Sequence, residues 1–142
     1  MTKEKQAAIA AVEEKAAVIA DVAESVWGSA ELPLQEERSA AKYCQVLARE
    51  GFTVEKGIGG ISTAFSASFG SGRPVIGILA EYDALSGLSQ KAGSLCREEL
   101  VPGGCGHGCG HNLLGAGALA AALGVKAYLE HTGCPGTVVL YG

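Results

Sequence analysis

Aromatic residues are scarce in this sequence: three Phe, four Tyr and one Trp among 142 residues. With so few rings, eleven Lys and Arg dispersed along the chain and a formal net charge of −4, there is neither a base-stacking platform nor a basic patch. Nucleic acid is thereby excluded as a partner class. Long apolar runs are missing too. The longest, Leu113 to Val125, has thirteen residues, whereas a bilayer span needs about twenty, so no membrane segment is expected. No secretory leader is expected either, because Met1-Thr2-Lys3-Glu4-Lys5 runs into a stretch rich in Glu and Lys. A cytoplasmic location is the expectation. The five cysteines are an odd number, and in a reducing compartment they read as thiols or ligands before disulfides.

What is present is the composition of a globular domain, 48% apolar and 18% charged, at a length of about one domain. From Glu4 to about Trp27, the apolar positions Ile9, Val12, Ile19, Ala23, Val26 and Trp27 recur at helical spacing and predict one amphipathic helix. Gly28 and Ser29 interrupt it. A second helix follows Pro33, with Ala40, Tyr43, Cys44 and Leu47 on one face and Gly51 at its end. Trp27 and Cys44 lie on apolar faces and are expected in the core. The period then changes to two: Phe52 and Val54, then Thr63 to Phe69, read as strands around a turn at Gly57-Ile58-Gly59-Gly60. The continuous apolar run Val75 to Ala80 predicts a central strand, buried on both faces. A loop of about thirty residues from Glu81 to His111 is long enough to suggest a functional segment. Asn112 caps a helix with its body from Leu113 to Glu130, His131 lies at the favourable end of its dipole, and Thr137 to Tyr141 is a last strand. Strand, loop, helix, strand makes a βαβ unit, and the fold class is α/β with a parallel pairing in the sheet.

The densest chemistry is Gly103 to Asn112, where Cys105, His107, Cys109 and His111 alternate with glycines. Thiolate and imidazole are ligands for transition metals, and glycine lets the backbone close round an ion. Cys109 and His111, two residues apart, would project to one side of an extended backbone and reach one ion. All four on one tetrahedral ion would need chelates tighter than the usual spacing of two to four residues. Cys105 and Cys109 as buried thiols or a reversible disulfide is the alternative. Glu81 and Asp83 lie where the buried strand ends, the place where ligands collect on parallel sheets. Asp83 is a candidate ligand or the group that orients a ligating His; both acids as solvated loop residues is the competing reading.

Several separated stretches are similar to one family in order along the chain. They are Trp27 with Ala30-Glu31-Leu32 and Glu36, then Thr63-Ala64-Phe65, then Gly77 to Gln90, and finally Gly106 to Gly115. Through them the sequence resembles the amidohydrolase branch of the co-catalytic zinc aminoacylase and carboxypeptidase family, peptidase family M20. The resemblance implies the amino-terminal part of a three-layer α/β/α metallohydrolase domain with a mixed sheet, spanning residues 1–142, with the family's inserted lid or dimerisation domain outside it. It also implies metal ligation by Cys109 and His111, and a site-orienting Asp83 in the family's His-x-Asp element. Glu81 stands where other branches carry a metal-binding His, and His107 matches a motif histidine without a role. Two divalent ions, zinc or manganese, would serve the complete enzyme. The substrate would be an N-acyl amino acid or dipeptide-like molecule, such as an aminobenzoyl group on glutamate, and the assembly a homodimer or heterodimer. The family's general base is a glutamate of a later Glu-Glu pair, so these residues alone are expected to be inactive. A non-catalytic metal-binding domain, or a truncated subunit of a hetero-oligomer, is the alternative.

Overall fold

The computed structural model describes residues 1–142. Its elements are α1 (Lys3–Glu14), α2 (Ala16–Ser29), α3 (Glu37–Arg49), β1 (Thr53–Lys56), β2 (Phe65–Ser71), β3 (Val75–Leu79), α4 (His111–Thr132) and β4 (Gly136–Tyr141). The four strands form one mixed sheet in the order β1-β2-β4-β3, with β1-β2 and β2-β4 antiparallel and β3-β4 parallel. The βαβ unit expected from the sequence is β3-α4-β4.

Three helices, not two, precede the sheet. The expected helix from Glu4 to Trp27 breaks at Lys15, whose backbone leaves helical geometry while its Nζ pairs with Glu50 Oε1 at 2.8 Å. The break lets α1 lie along α4 at Gly124, where a Cβ would meet Val12 at 3.1 Å, while α2 sends Val22, Ala23 and Val26 into the core. Apolar periodicity runs through the break because α2 buries its part of the stripe and Val12 of α1 is half-buried against α4, although Ile9 is exposed. In α3 the face of Ala40, Tyr43, Cys44 and Leu47 is buried as its period predicts. Phe65 and Ala67 of β2, with Val138 and Leu140 of β4, meet these helices from one face of the sheet. The opposite face, with Ser66, Ser68 and Val139 half-buried and Tyr141 exposed, carries no helix, so two of the three expected layers are present.

The strand expected at the centre is at an edge. β3 pairs only with β4, and Val75, Ile76 and Leu79 are exposed. The continuous run from Val75 to Ala80 records hydrophobicity without recording what covers it. α4 is the one helix long and apolar enough to cross a bilayer, longer than the thirteen-residue run because it continues to Thr132; Ala116, Leu119 and Leu123 bury it against the sheet and neighbouring helices. Trp27, expected in the core, is 37% exposed.

The loop between α2 and α3 carries a remote cap. Glu31 Oε1 accepts from the Arg38 backbone N–H at 2.9 Å and from Arg38 Nε–H at 3.2 Å. Glu31 Oε2 accepts from the Ser39 N–H at 2.9 Å and from its hydroxyl at 2.8 Å. Burial pushes the Glu31 carboxyl up, but these hydrogen bonds outweigh it and hold the group below its ordinary value. A depressed carboxyl stabilises the fold above the unfolded value of about 4.3 and loses that contribution as pH falls through the folded value. Glu31→Gln should therefore unfold about 0.5–2 kcal/mol more easily at neutral pH, the range for a lost helix cap. The difference from the wild type should shrink below about pH 4; urea melts at pH 7 and pH 3.5 check both.

Candidate metal centre

Three segments converge at the carboxyl end of β3. Ala80 N–H donates to the Tyr141 carbonyl at 2.7 Å, the Tyr82 hydroxyl to the Thr63 carbonyl at 2.7 Å, and Ala84 N–H to the Glu31 carbonyl at 2.7 Å. These bonds send Tyr82 inward, and Glu81 and Asp83 to the other side. The Gly-rich turn is drawn alongside by a bridge in which Leu85 and Gly106 exchange N–H to carbonyl bonds of 2.9 Å. Gly106 is required there, because a Cβ would stand 1.9 Å from the Leu88 carbonyl oxygen.

His111 closes the group. Gly110, at φ +73°, is the residue that caps α4, and His111 opens the helix; Asn112 is buried within the first turn instead of capping it. The segment is thus a turn and a helix start, not the extended backbone from which a shared side for Cys109 and His111 was expected. The half-buried His111 Nδ1–H donates to Asp83 Oδ1 at 2.8 Å, which leaves Nε2 facing Glu81 Oε2 at 3.2 Å. One ligand atom from each of Glu81, Asp83 and His111 lies within 4.8 Å of the others. An imidazole nitrogen beside carboxylate oxygens is donor chemistry suited to zinc or manganese. A carboxylate behind the ring fixes the tautomer that offers Nε2. The residues present fit a divalent metal.

Of the residues expected from sequence, Asp83 and His111 are brought together. Cys109 is exposed, and its Sγ is not one of these three mutually close ligand atoms. Cys105 is half-buried, and neither cysteine is in a disulfide. His107, left without a role by the motif, is buried against α2 and is not one of the three mutually close ligand residues. Glu81, the position that departs from the resemblance, reaches the other ring nitrogen of His111. The glycines in the body of α4 allow the close packing behind this contact: at Gly115 a Cβ would stand 2.3 Å from Tyr43 Oη and 2.7 Å from the Glu81 carbonyl oxygen. Sequence reasoning left open the role of Glu36. That buried carboxylate accepts from Thr63 Oγ1 at 2.9 Å and lines a cavity of about 250 Å³ shared with Glu81 and Asp83.

No protein-family model matches the chain. Over 122 residues it is 51% identical to a subunit of the p-aminobenzoyl-glutamate hydrolase of Escherichia coli, covering 86% of this chain and 25% of that protein. Over 142 residues it is 28% identical to the Xaa-Arg dipeptidase of Mus musculus, covering 92% of this chain and 29% of the relative. Among solved structures it resembles an aminohydrolase from methicillin-resistant Staphylococcus aureus, with a TM-score of 0.73 at 24% identity over 96% of this chain and 34% of that one. It also resembles a dinuclear metal-binding peptidase of the M20 family from Bacillus subtilis, with a TM-score of 0.62 at 22% identity over 88% of this chain and 34% of that one. The chain therefore spans about a quarter to a third of the length of these relatives, and the two structural likenesses show a shared fold.

Proposed function

We infer that this chain, a homologue of a p-aminobenzoyl-glutamate hydrolase subunit with the fold of M20 peptidases, forms the amino-terminal part of a metal-dependent amidohydrolase domain over residues 1–142. The observation that carries the reading is His111 held between Asp83 and Glu81 at the carboxyl end of a strand of a parallel pair. His111 Nε2 and Cys109 Sγ are the groups that would hold a divalent metal, zinc or manganese, one of two ions in the complete enzyme; Glu81, 3.2 Å from Nε2, is the competing donor at that nitrogen. The chemistry such an ion supplies is polarisation of an amide carbonyl and activation of water. Asp83 accepts the Nδ1 proton of His111 and so keeps the ring's other nitrogen free and correctly turned. The cavity beside the carboxylates, walled by Leu34 and Ile61 with Glu36 and Thr63 within it, offers room for part of a substrate.

The substrate class is an amide between an acyl group, an aminobenzoyl group among them, and an amino acid such as glutamate. The name of the E. coli relative supports it. Its designation as a subunit supports assembly with a second chain, as a homodimer or heterodimer, and the location is cytoplasmic. Hydrolysis requires a general base, which the resemblance places outside these residues, so the 142 residues alone are expected to be inactive.

A chimera tests this: the chain replaces the matching quarter of the E. coli relative. Chelator treatment should abolish hydrolysis of p-aminobenzoyl-glutamate, and zinc or manganese should restore it. Full activity after exhaustive metal removal would refute the reading. Tight stoichiometric zinc uptake by the 142 residues alone, together with an inactive chimera, would favour a non-catalytic metal-binding domain.

A further inference from the structure

The turn that carries Cys109 and His111 is flanked by two buried polar side chains, and both reach the carboxyl-terminal part of α2. His107, 6% exposed, points Nε2 at the Val26 carbonyl oxygen at 3.0 Å. A carbonyl only accepts, so Nε2 carries the proton. The ring also stacks on Trp27, with centroids 6.2 Å apart and planes 29° apart. On the other flank, Asn112 Nδ2 donates to the Ala23 carbonyl at 3.4 Å. Each side chain has one buried atom without a partner, His107 Nδ1 and Asn112 Oδ1. With Nε2 protonated, both are acceptors, so neither can satisfy the other.

Two orphaned acceptors are costly, and apolar side chains of similar size would fill the same space without them. What the polar groups provide is direction, because each bond aims one flank of the turn at a particular carbonyl. The same end of α2 also refers to the other half of the site. Val26 O accepts from Ala30 N–H at 3.1 Å as α2 closes, and the next residue's carbonyl, Glu31 O, takes the N–H of Ala84 beside Asp83.

We propose that His107 and Asn112 are positioning residues that clamp the turn to the Val26 and Ala23 carbonyls. The end of α2 thereby sets the ligand-bearing turn in register with Glu81 and Asp83. This rests on the metal-site reading for its purpose, but the clamp itself is measurable without metal.

In the metal-free 142-residue chain, the turn is reported by amide exchange at Gly110, Leu113 and Leu114, whose N–H groups bond to His107 O at 3.0 Å and to Gly110 O at 2.9 and 3.0 Å. His107→Ala should speed exchange there about tenfold and leave β2 and β4 amides unchanged. His107→Gln, which keeps an N–H at similar reach, should restore slow exchange. Asn112→Leu, which keeps the volume, should also speed it. Zinc affinity should fall about 10–100-fold in His107→Ala and recover in His107→Gln, the range for groups that orient ligands. Unchanged exchange in both His107→Ala and Asn112→Leu overturns the clamp, and so does faster exchange with unchanged zinc affinity. A wild-type chain that takes up no zinc counts against the metal reading, and the exchange measurements then decide the clamp by themselves.

Discussion

Gly115→Ala should lower the unfolding midpoint by roughly 5–10 °C, a loss of about 2 kcal/mol, and weaken zinc binding with it. Two effects oppose each other. Alanine is favoured over glycine inside a helix by about 1 kcal/mol. Against that, the new methyl would sit 2.3 Å from Tyr43 Oη and 2.7 Å from the Glu81 carbonyl oxygen, well inside contact distance. Tyr43 cannot swing aside easily. It is fully buried, with ring centroids 6.0 Å from Phe65 and 5.1 Å from Tyr82. Glu81 presents backbone, which moves only with the end of β3. The clash therefore wins and is relieved by separating α4 from β3, which pulls His111 from Glu81.

Tyr43→Phe separates the two contacts. The Tyr43 hydroxyl is buried without a partner, so its removal alone should be neutral or stabilising by up to about 1 kcal/mol. In the Gly115→Ala background it should recover part of the loss, and the Glu81 clash should persist. Thermal melts of the four proteins, completed as a double-mutant cycle, supply the coupling. A Gly115→Ala protein as stable as the wild type would rule out the close approach of α4 to β3.

His111→Ala in the chimera should reduce hydrolysis by about three orders of magnitude or more, because several kcal/mol of metal-supplied stabilisation would go with the ligand. Asp83→Asn should cost less, about 10–100-fold in metal affinity, since it weakens the acceptor behind the ring and leaves Nε2 in place. Cys109→Ala distinguishes the arrangements. If Cys109 ligates, the loss approaches that of His111→Ala, and Glu81→Gln is mild. If Glu81 is the ligand, the ranking reverses. Atomic-emission metal content and kcat/KM of the four variants, each checked for intact folding, measure it. Full activity in both His111→Ala and Cys109→Ala would eliminate the site.

The elements were legible where a pattern had one cause. The face of α3, the strands around the Gly57 turn and the β3-α4-β4 unit follow from periodicity and from glycine punctuation. Patterns with two causes misled. The stripe from Ile9 to Trp27 reads the same for one helix on one surface and for two helices on α4 and the sheet. An apolar strand reads the same whether its neighbours cover it or not, as β3 does with Val75, Ile76 and Leu79 exposed. At Asn112 a side chain common at helix caps is buried instead, because Gly110 turns the chain first.

By its own composition and order, the sequence determined the residue types of the site and their segments: a carboxylate pair ending an apolar strand, and a Cys-Gly-His turn opening an Ala- and Gly-rich helix. Those are local properties, carried by neighbours in the chain. Only the tertiary structure decided which of them meet. Asp83 and His111 are twenty-eight residues apart, and their contact depends on a glycine at 115, a glycine at 106 and carbonyls of α2 and the loop after it. Distance across a packed interface is set by the smallest side chains in it, and no periodicity along the chain records that.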